Sequence, residues 1–268
     1  MIDLGTGPAI VLIPGVQGRW EWMRPTVEAL ARRCRVVTAS LCGDRGGIPF
    51  VDPAPGFNRF VAYLDAMLDR VRLPSVSLCG VSYGGLIALR YAAERPERVR
   101  SLVLVSTLSP TWRLSWRVRT YVRAPRLLSP LFVLSAPFRL WPEIAAAFPS
   151  WDERLAFTAR HVGRVVLAPL SPKRMGGRVQ LLAGEDFLRD CSLIRVPTLV
   201  VTGERDLDKV VPVEGTREYL GAIAGATSAT IERTGHIGSI SRPEHFSNIV
   251  ATFIAAHDAA GQTEQERA

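Results

Sequence analysis

One serine in this chain stands where a nucleophile can be made. Gly80-Val81-Ser82-Tyr83-Gly84-Gly85 follows the apolar run from Ser75 to Cys79 and opens a helical pattern from Tyr83 to Glu94. On such a strand-to-helix turn the serine backbone is forced into a strained conformation that lifts its hydroxyl above the strand ends. Glycine is required at 80 and 84, because a side chain at either would strike the neighbouring strand or helix. A serine presented this way suits acyl transfer through a covalent intermediate. A glycine-rich turn with an idle serine is the plainer alternative. The strand before it and the helix after it weigh against that alternative.

The elements that must position this serine are legible as alternating runs. Ala9 to Ile13, Arg35 to Ala39, Ser75 to Cys79, Ser101 to Val105, Thr198 to Thr202 and Ser228 to Glu232 read as strands. Arg24 to Arg33, Phe57 to Val71, Tyr83 to Glu94, Val213 to Ala224 and Pro243 to His257 read as helices. Phe57, Phe60, Val61, Leu64, Leu68 and Val71 recur at steps of three and four, which is one apolar helix face. Strands apolar throughout, each followed by a helix, predict an α/β fold: a mostly parallel sheet with helices on both faces. The stretch 108–190 breaks this rhythm. It holds Pro110, Pro125, Pro130, Pro137, Pro142, Pro149, Pro169 and Pro172 with Trp112, Trp116, Trp141 and Trp151. Short helices separated by prolines are expected there, forming a helical cap or lid over the strand ends where ligands bind. The expected division is a core of 1–107 and 191–258, a cap of 108–190 and a flexible polar tail of 259–268.

With the elbow and these elements in view, the chain resembles the α/β-hydrolase family, from Leu4 to about His257. Leu12-Ile13-Pro14-Gly15-Val16 stands where that family has a strand followed by His-Gly. The run Thr202-Gly203-Glu204-Arg205-Asp206-Leu207-Asp208-Lys209-Val210-Val211-Pro212 resembles its acid loop, and Thr234-Gly235-His236 follows the last strand. The resemblance implies that Ser82 is the nucleophile, that His236 takes its proton, and that a carboxylate holds the imidazole tautomer. Of the other histidines, His161 falls in the cap, and His245 and His257 fall in the final helix. Two aspartates compete for the acid. Asp206 is three residues past Gly203, while Asp208 is four before Pro212 and fits Asp-Lys-Val-Val-Pro as a unit. Asp208 is preferred. Ser106-Thr107-Leu108-Ser109 offers no carboxylate at the family's other acid position. The oxyanion hole would use the backbone N–H groups of Val16 and Tyr83, and Gln17 could add a donor toward substrate. Pro14 replaces the family's histidine. The family also has two more strands ahead of Ala9, and the residues before it leave no room for both.

Composition sets the outer bounds. The chain has 268 residues, 47% hydrophobic and 22% charged, which fits a packed globule with a sizeable core and excludes a disordered chain or a disulfide scaffold. The net charge is +8, and Lys173 and Lys209 are the only lysines among 33 basic residues. The arginines are scattered and do not interleave with aromatics, so no nucleic-acid partner is expected. Cys34, Cys42, Cys79 and Cys191 form no Cys-x-x-Cys, which points to reduced thiols rather than a metal site. No signal peptide or membrane span is evident, and a cytoplasmic location follows. The cap segment from Thr111 to Ala124 carries Trp112 and Trp116 with Arg113, Arg117, Arg119 and Arg123. Tryptophans packed on the core with arginines in water are preferred over a membrane-surface helix. The expected activity is hydrolysis of a small hydrophobic carboxylic ester, with no metal or organic cofactor. The alternatives are a non-catalytic ligand-binding member of the fold, and a C–C hydrolase, lyase or acyltransferase using the same triad.

Overall fold

A computed structural model describes residues 1–49 and 55–265. The strands are β1 (Ile2–Leu4), β2 (Ala9–Ile13), β3 (Arg35–Thr38), β4 (Val76–Val81), β5 (Val99–Val105), β6 (Thr198–Thr202) and β7 (Thr227–Thr230). They form one sheet in the order β1-β3-β2-β4-β5-β6-β7. Every neighbouring pair is parallel except β1, which runs antiparallel to β3 with Ile2 opposite Thr38. β1 is the strand that periodicity did not reveal. It has three residues and lies at an edge, so it has little apolar pattern to show.

Helices α1 (Arg24–Leu30), α2 (Arg59–Arg70) and α3 (Tyr83–Glu94) lie between the early strands. Between β5 and β6 come α4 (Trp116–Arg123), α5 (Pro125–Ala147), α6 (Trp151–Leu167), α7 (Pro172–Gln180) and α8 (Phe187–Leu193). The chain ends with α9 (Val213–Arg217), α10 (Tyr219–Ala222), α11 (Gly238–Ser241) and α12 (Pro243–Gln265). Strands β2, β4 and β6 are buried at every position because both faces are covered. Val11, Ile13, Leu78, Leu102 and Leu104 pack with Phe60, Leu64 and Leu68 of α2 and with α3. Ile10, Leu12, Cys79, Val103 and Val201 pack on the other face with Val27 and Leu30 of α1 and with Phe246, Val250 and Ile254 of α12.

Order reverses around β2, which sends the chain to β3 on one side and has β4 on the other. In an open α/β sheet this is where loops part at the carboxyl ends of the strands and leave a crevice. The loop after β2 and the turn after β4 meet there. Arg90 of α3 anchors the far side of the helical insertion. Its Nε lies 2.7 Å from Asp190 on α8, its Nη2 lies 2.8 Å from Glu185, and its Nη1 donates to Asn58 Oδ1 at 2.8 Å.

Three sequence expectations are corrected. The prolines of the insertion do not chop it into short helices, since α5 is 23 residues long and contains Pro137 and Pro142. Pro142 leaves the carbonyl of Phe138 without its helical donor. Phe138 is on the exposed side of the helix, where water can take that carbonyl. The two tryptophans of 111–124 part company: Trp112 packs against the core, whereas Trp116 is 72% exposed. Finally, α12 continues through 259–265, where a frayed tail was expected, and 266–268 lie outside the described residues. Among the described residues, no helix is long and apolar enough to cross a membrane.

Candidate active site

Ser82 follows the last residue of β4 and caps α3 with φ 55° and ψ −118°, a region that L side chains rarely enter. Its amide donates to the Val105 carbonyl at 2.8 Å, and its carbonyl accepts from Gly85 at 3.0 Å, so both neighbouring elements hold the strain. The glycines are needed for close approach. A Cβ on Gly80 would overlap the Gly84 carbonyl, one on Gly84 would overlap the Ile13 carbonyl, and one on Gly85 would overlap Thr107 Oγ1. Ser82 itself is half-buried.

The acid and base loops are brought together by a second close approach. A Cβ on Gly203 would fall 2.6 Å from the Gly235 carbonyl, and one on Gly235 would overlap the Leu207 carbonyl. The acid loop closes a turn in which Leu207 and Asp208 donate to the Glu204 carbonyl at 3.1 and 3.2 Å. That turn places Asp208, not Asp206, beside the histidine. Asp208 Oδ2 lies 3.4 Å from His236 Nδ1. Its Oδ1 accepts from the amides of Val210 and Val211 at 2.9 and 2.8 Å. Asp208 is buried, and Asp206 is exposed. With Nδ1 turned to Asp208, Nε2 is the nitrogen left for proton exchange. Among the described residues, no hydrogen bond joins Ser82 Oγ to His236. Such contacts commonly tighten only around substrate.

The loop after β2 turns tightly, Gly18 donating to the Gly15 carbonyl at 2.9 Å. It runs close to the serine: a Cβ on Gly15 would stand 3.5 Å from Ser82 Cβ and 2.8 Å from Gln17 Oε1. Gly15 therefore borders Ser82, and the Gln17 side chain folds back beside Gly15. Tyr83 is the first residue of α3, whose N–H has no partner within the helix. One residue outside the sequence expectation touches both sides of this arrangement. Arg178 of α7 donates from Nη1 to the Val16 carbonyl at 2.9 Å, and its own carbonyl accepts from the Tyr83 hydroxyl at 3.0 Å. Asp44 holds the same guanidinium and also pairs with Arg174 at 3.1 Å. Burial pushes the Tyr83 phenol up, so it stays a neutral donor.

A second residue missed from sequence reaches the base loop. Glu143 of α5 is fully buried, and its Oε2 accepts from the amides of Gly235 and Ile237 at 2.9 Å each, the two residues flanking His236. Burial pushes its carboxyl up to about 7 against the opposing effects of the Ile237 amide and His236. The signal was present in the sequence: Glu143 is the one acidic residue in the whole of α5. A lone carboxylate in an apolar helix is rarely idle. Among the described residues, no cluster of three or more His, Cys, Asp or Glu side chains could hold a metal ion.

Comparison with known proteins shows the family. Residues 8–243 match the family model for the alpha/beta hydrolase fold, and the chain belongs to that family. A 2-hydroxy-6-oxo-2,4-heptadienoate hydrolase of Pseudomonas putida is 28% identical, covering 96% of this chain and 92% of the relative. A poly(3-hydroxyalkanoate) depolymerase of Ectopseudomonas oleovorans is also 28% identical, over 97% of this chain and 86% of its own length. Among solved structures, the enol-lactonase from Burkholderia xenovorans LB400 superposes with a TM-score of 0.75 at 22% identity, over 95% of both chains. A bromoperoxidase from Bacillus anthracis superposes with a TM-score of 0.75 at 23% identity, over 95% of this chain and 94% of its own. The relatives identify an α/β-hydrolase enzyme.

Proposed function

We propose that this chain is a serine hydrolase that cleaves a small hydrophobic carboxylic ester, or a related acyl substrate, through an acyl-enzyme. The observation that carries the reading is the backbone of Ser82, held at positive φ where a glycine would be free of strain. A fold that keeps a serine there is keeping its hydroxyl. In the proposed mechanism, Ser82 Oγ attacks the acyl carbon while His236 Nε2 takes its proton. Asp208 holds the Nδ1–H tautomer and stabilises the imidazolium. The Tyr83 and Val16 amides receive the charge that develops on the carbonyl oxygen. His236 then gives the proton to the departing alkoxide. Water repeats the attack on the acyl-enzyme and frees the acid and Ser82. Gln17 is placed to contact the substrate beside Gly15. No metal or organic cofactor enters any step, and the partner is a small molecule.

The segment 108–190 acts as a cap in this reading. Leu127, Leu134, Phe138 and Trp141 are exposed along one face of α5, and Trp151, Leu155, Val162 and Val166 along one face of α6. Their spacing of three, four and seven puts these apolar residues on the outer face of each helix. A panel of p-nitrophenyl esters of rising acyl length, with thioesters and lactones alongside, tests the class. Saturable turnover of esters, abolished by Ser82→Ala, supports it. Turnover confined to a dienoate C–C substrate would replace it with the C–C hydrolase reading. No turnover at all, with the protein folded, would leave a ligand-binding member of the family.

A further inference from the structure

Glu143 is costly where it stands. It is fully buried on the inner face of α5, beside the apolar cluster of Ile144, Phe157, Ile237 and Ile240. Its Oε2 takes two amides, yet its Oε1 is buried and makes no hydrogen bond among the described residues. A carboxylate buried and half satisfied carries a desolvation penalty that its two amides offset only in part. What a leucine could not do is hold the peptide groups on both sides of His236.

Resting on the assignment of His236 as the base, we infer that Glu143 is a positioning residue for it. By clamping the amides of Gly235 and Ile237, Glu143 fixes the backbone that aims the imidazole, so that docking of α5 on the core and assembly of the base are one event. Glu143 belongs to the insertion, whereas His236 belongs to the core, and a helix that moved off the site would release the base loop. The carboxylate also acts through its field. The ionisable groups whose fields couple to it are His236 and Asp208. A negative charge here favours the imidazolium formed when Ser82 gives up its proton, and it opposes the neutral imidazole needed to begin.

Two variants separate the clamp from the charge. Glu143→Gln keeps an oxygen for the two amides and loses the charge; Glu143→Leu loses both and leaves the two buried amides unpaired, so its fold is checked by circular dichroism before kinetics. Kinetics are measured on a p-nitrophenyl ester between about pH 5 and 9, with fluorophosphonate labelling of Ser82 alongside. For Glu143→Leu, kcat falls on the order of ten- to a hundredfold with KM little changed, because the base is misaimed and not the substrate. For Glu143→Gln, kcat recovers to within about tenfold of the parent, and the acidic limb of kcat/KM moves to lower pH by roughly half a unit or more. If the parent labels and turns over, and Glu143→Leu matches its kcat with an unmoved acidic limb, Glu143 is a packing residue and the inference is overturned, whatever happens to Tm. If the folded parent neither labels nor turns over, the serine-hydrolase reading fails first and takes this inference with it.

Discussion

Asp208 Oδ2 faces His236 Nδ1 at 3.4 Å because Gly203 and Gly235 let the acid and base loops touch backbone to backbone. The other oxygen of Asp208 is spent on Val210 and Val211, which fixes the carboxylate plane. Asp206, two residues earlier in the same turn, is exposed to water.

The two aspartates therefore separate in kinetics. Asp208→Asn should lower kcat by about ten-thousandfold, the cost of losing the acid of a working triad. Asp206→Asn loses only a screened charge and should change kcat by less than about fivefold. Both are measured on one ester near pH 8. The reverse ranking would mean that Asp206 supplies the acid.

The Arg178 guanidinium braces the Val16 carbonyl in the proposed oxyanion loop, so its loss should be felt at the reaction and little in binding. Arg178→Met takes the guanidinium from the Val16 carbonyl and from Asp44, while the Tyr83 hydroxyl keeps its acceptor on the backbone of residue 178. Removing an oxyanion donor outright costs about a hundred- to a thousandfold. Displacing one should cost less, roughly tenfold or more in kcat. A KM effect with kcat intact would place Arg178 on substrate instead.

The carboxyl of Glu143 also predicts how stability varies with pH. Its folded value, about 7, is raised above the ordinary 4.5 by burial. The folded state therefore favours the protonated form. That contribution is complete below about pH 4.5 and is lost as pH rises through about 7, on the order of 3 kcal/mol in all. Glu143→Gln should leave stability near pH 4 little changed and gain progressively on the parent up to about pH 8, by urea unfolding. A gap between the two proteins that does not change with pH would contradict the shift.

Arg90 predicts a stability effect with no catalytic counterpart. It is nearly buried between Asp190 and Glu185, with its guanidinium over the rings of Phe57 and Phe187 at 5.5 and 5.6 Å. Removing one partner of a buried pair costs about 3–5 kcal/mol. Arg90→Ala should lower Tm by several degrees while the remaining folded enzyme keeps its kcat. A normal Tm would show that the cluster contributes nothing to holding α8.

Much of this could be read before the structure. The inner strands announced themselves because both their faces are apolar, and the elbow announced itself because three glycines and a serine sit between a strand and a helix. The acid loop could be found but not registered, since only the turn at Glu204 shows which aspartate comes to rest beside His236. Pro142 misled because a proline on the wet side of a helix is tolerated where one on the dry side is not. Glu143 and Arg178 are a different case. The lone carboxylate of α5 stands out in the sequence, but both residues reach backbone atoms of distant residues, and a partner that is a carbonyl or an amide cannot be read from the sequence.

The central claim is that Ser82 is an activated nucleophile, and intact-protein mass after brief exposure to a fluorophosphonate tests it most directly. The account predicts one adduct per chain, mapped to Ser82, absent in Ser82→Ala and greatly slowed in Asp208→Asn. Folded protein that keeps its original mass, or an adduct on another residue that survives Ser82→Ala, would contradict it.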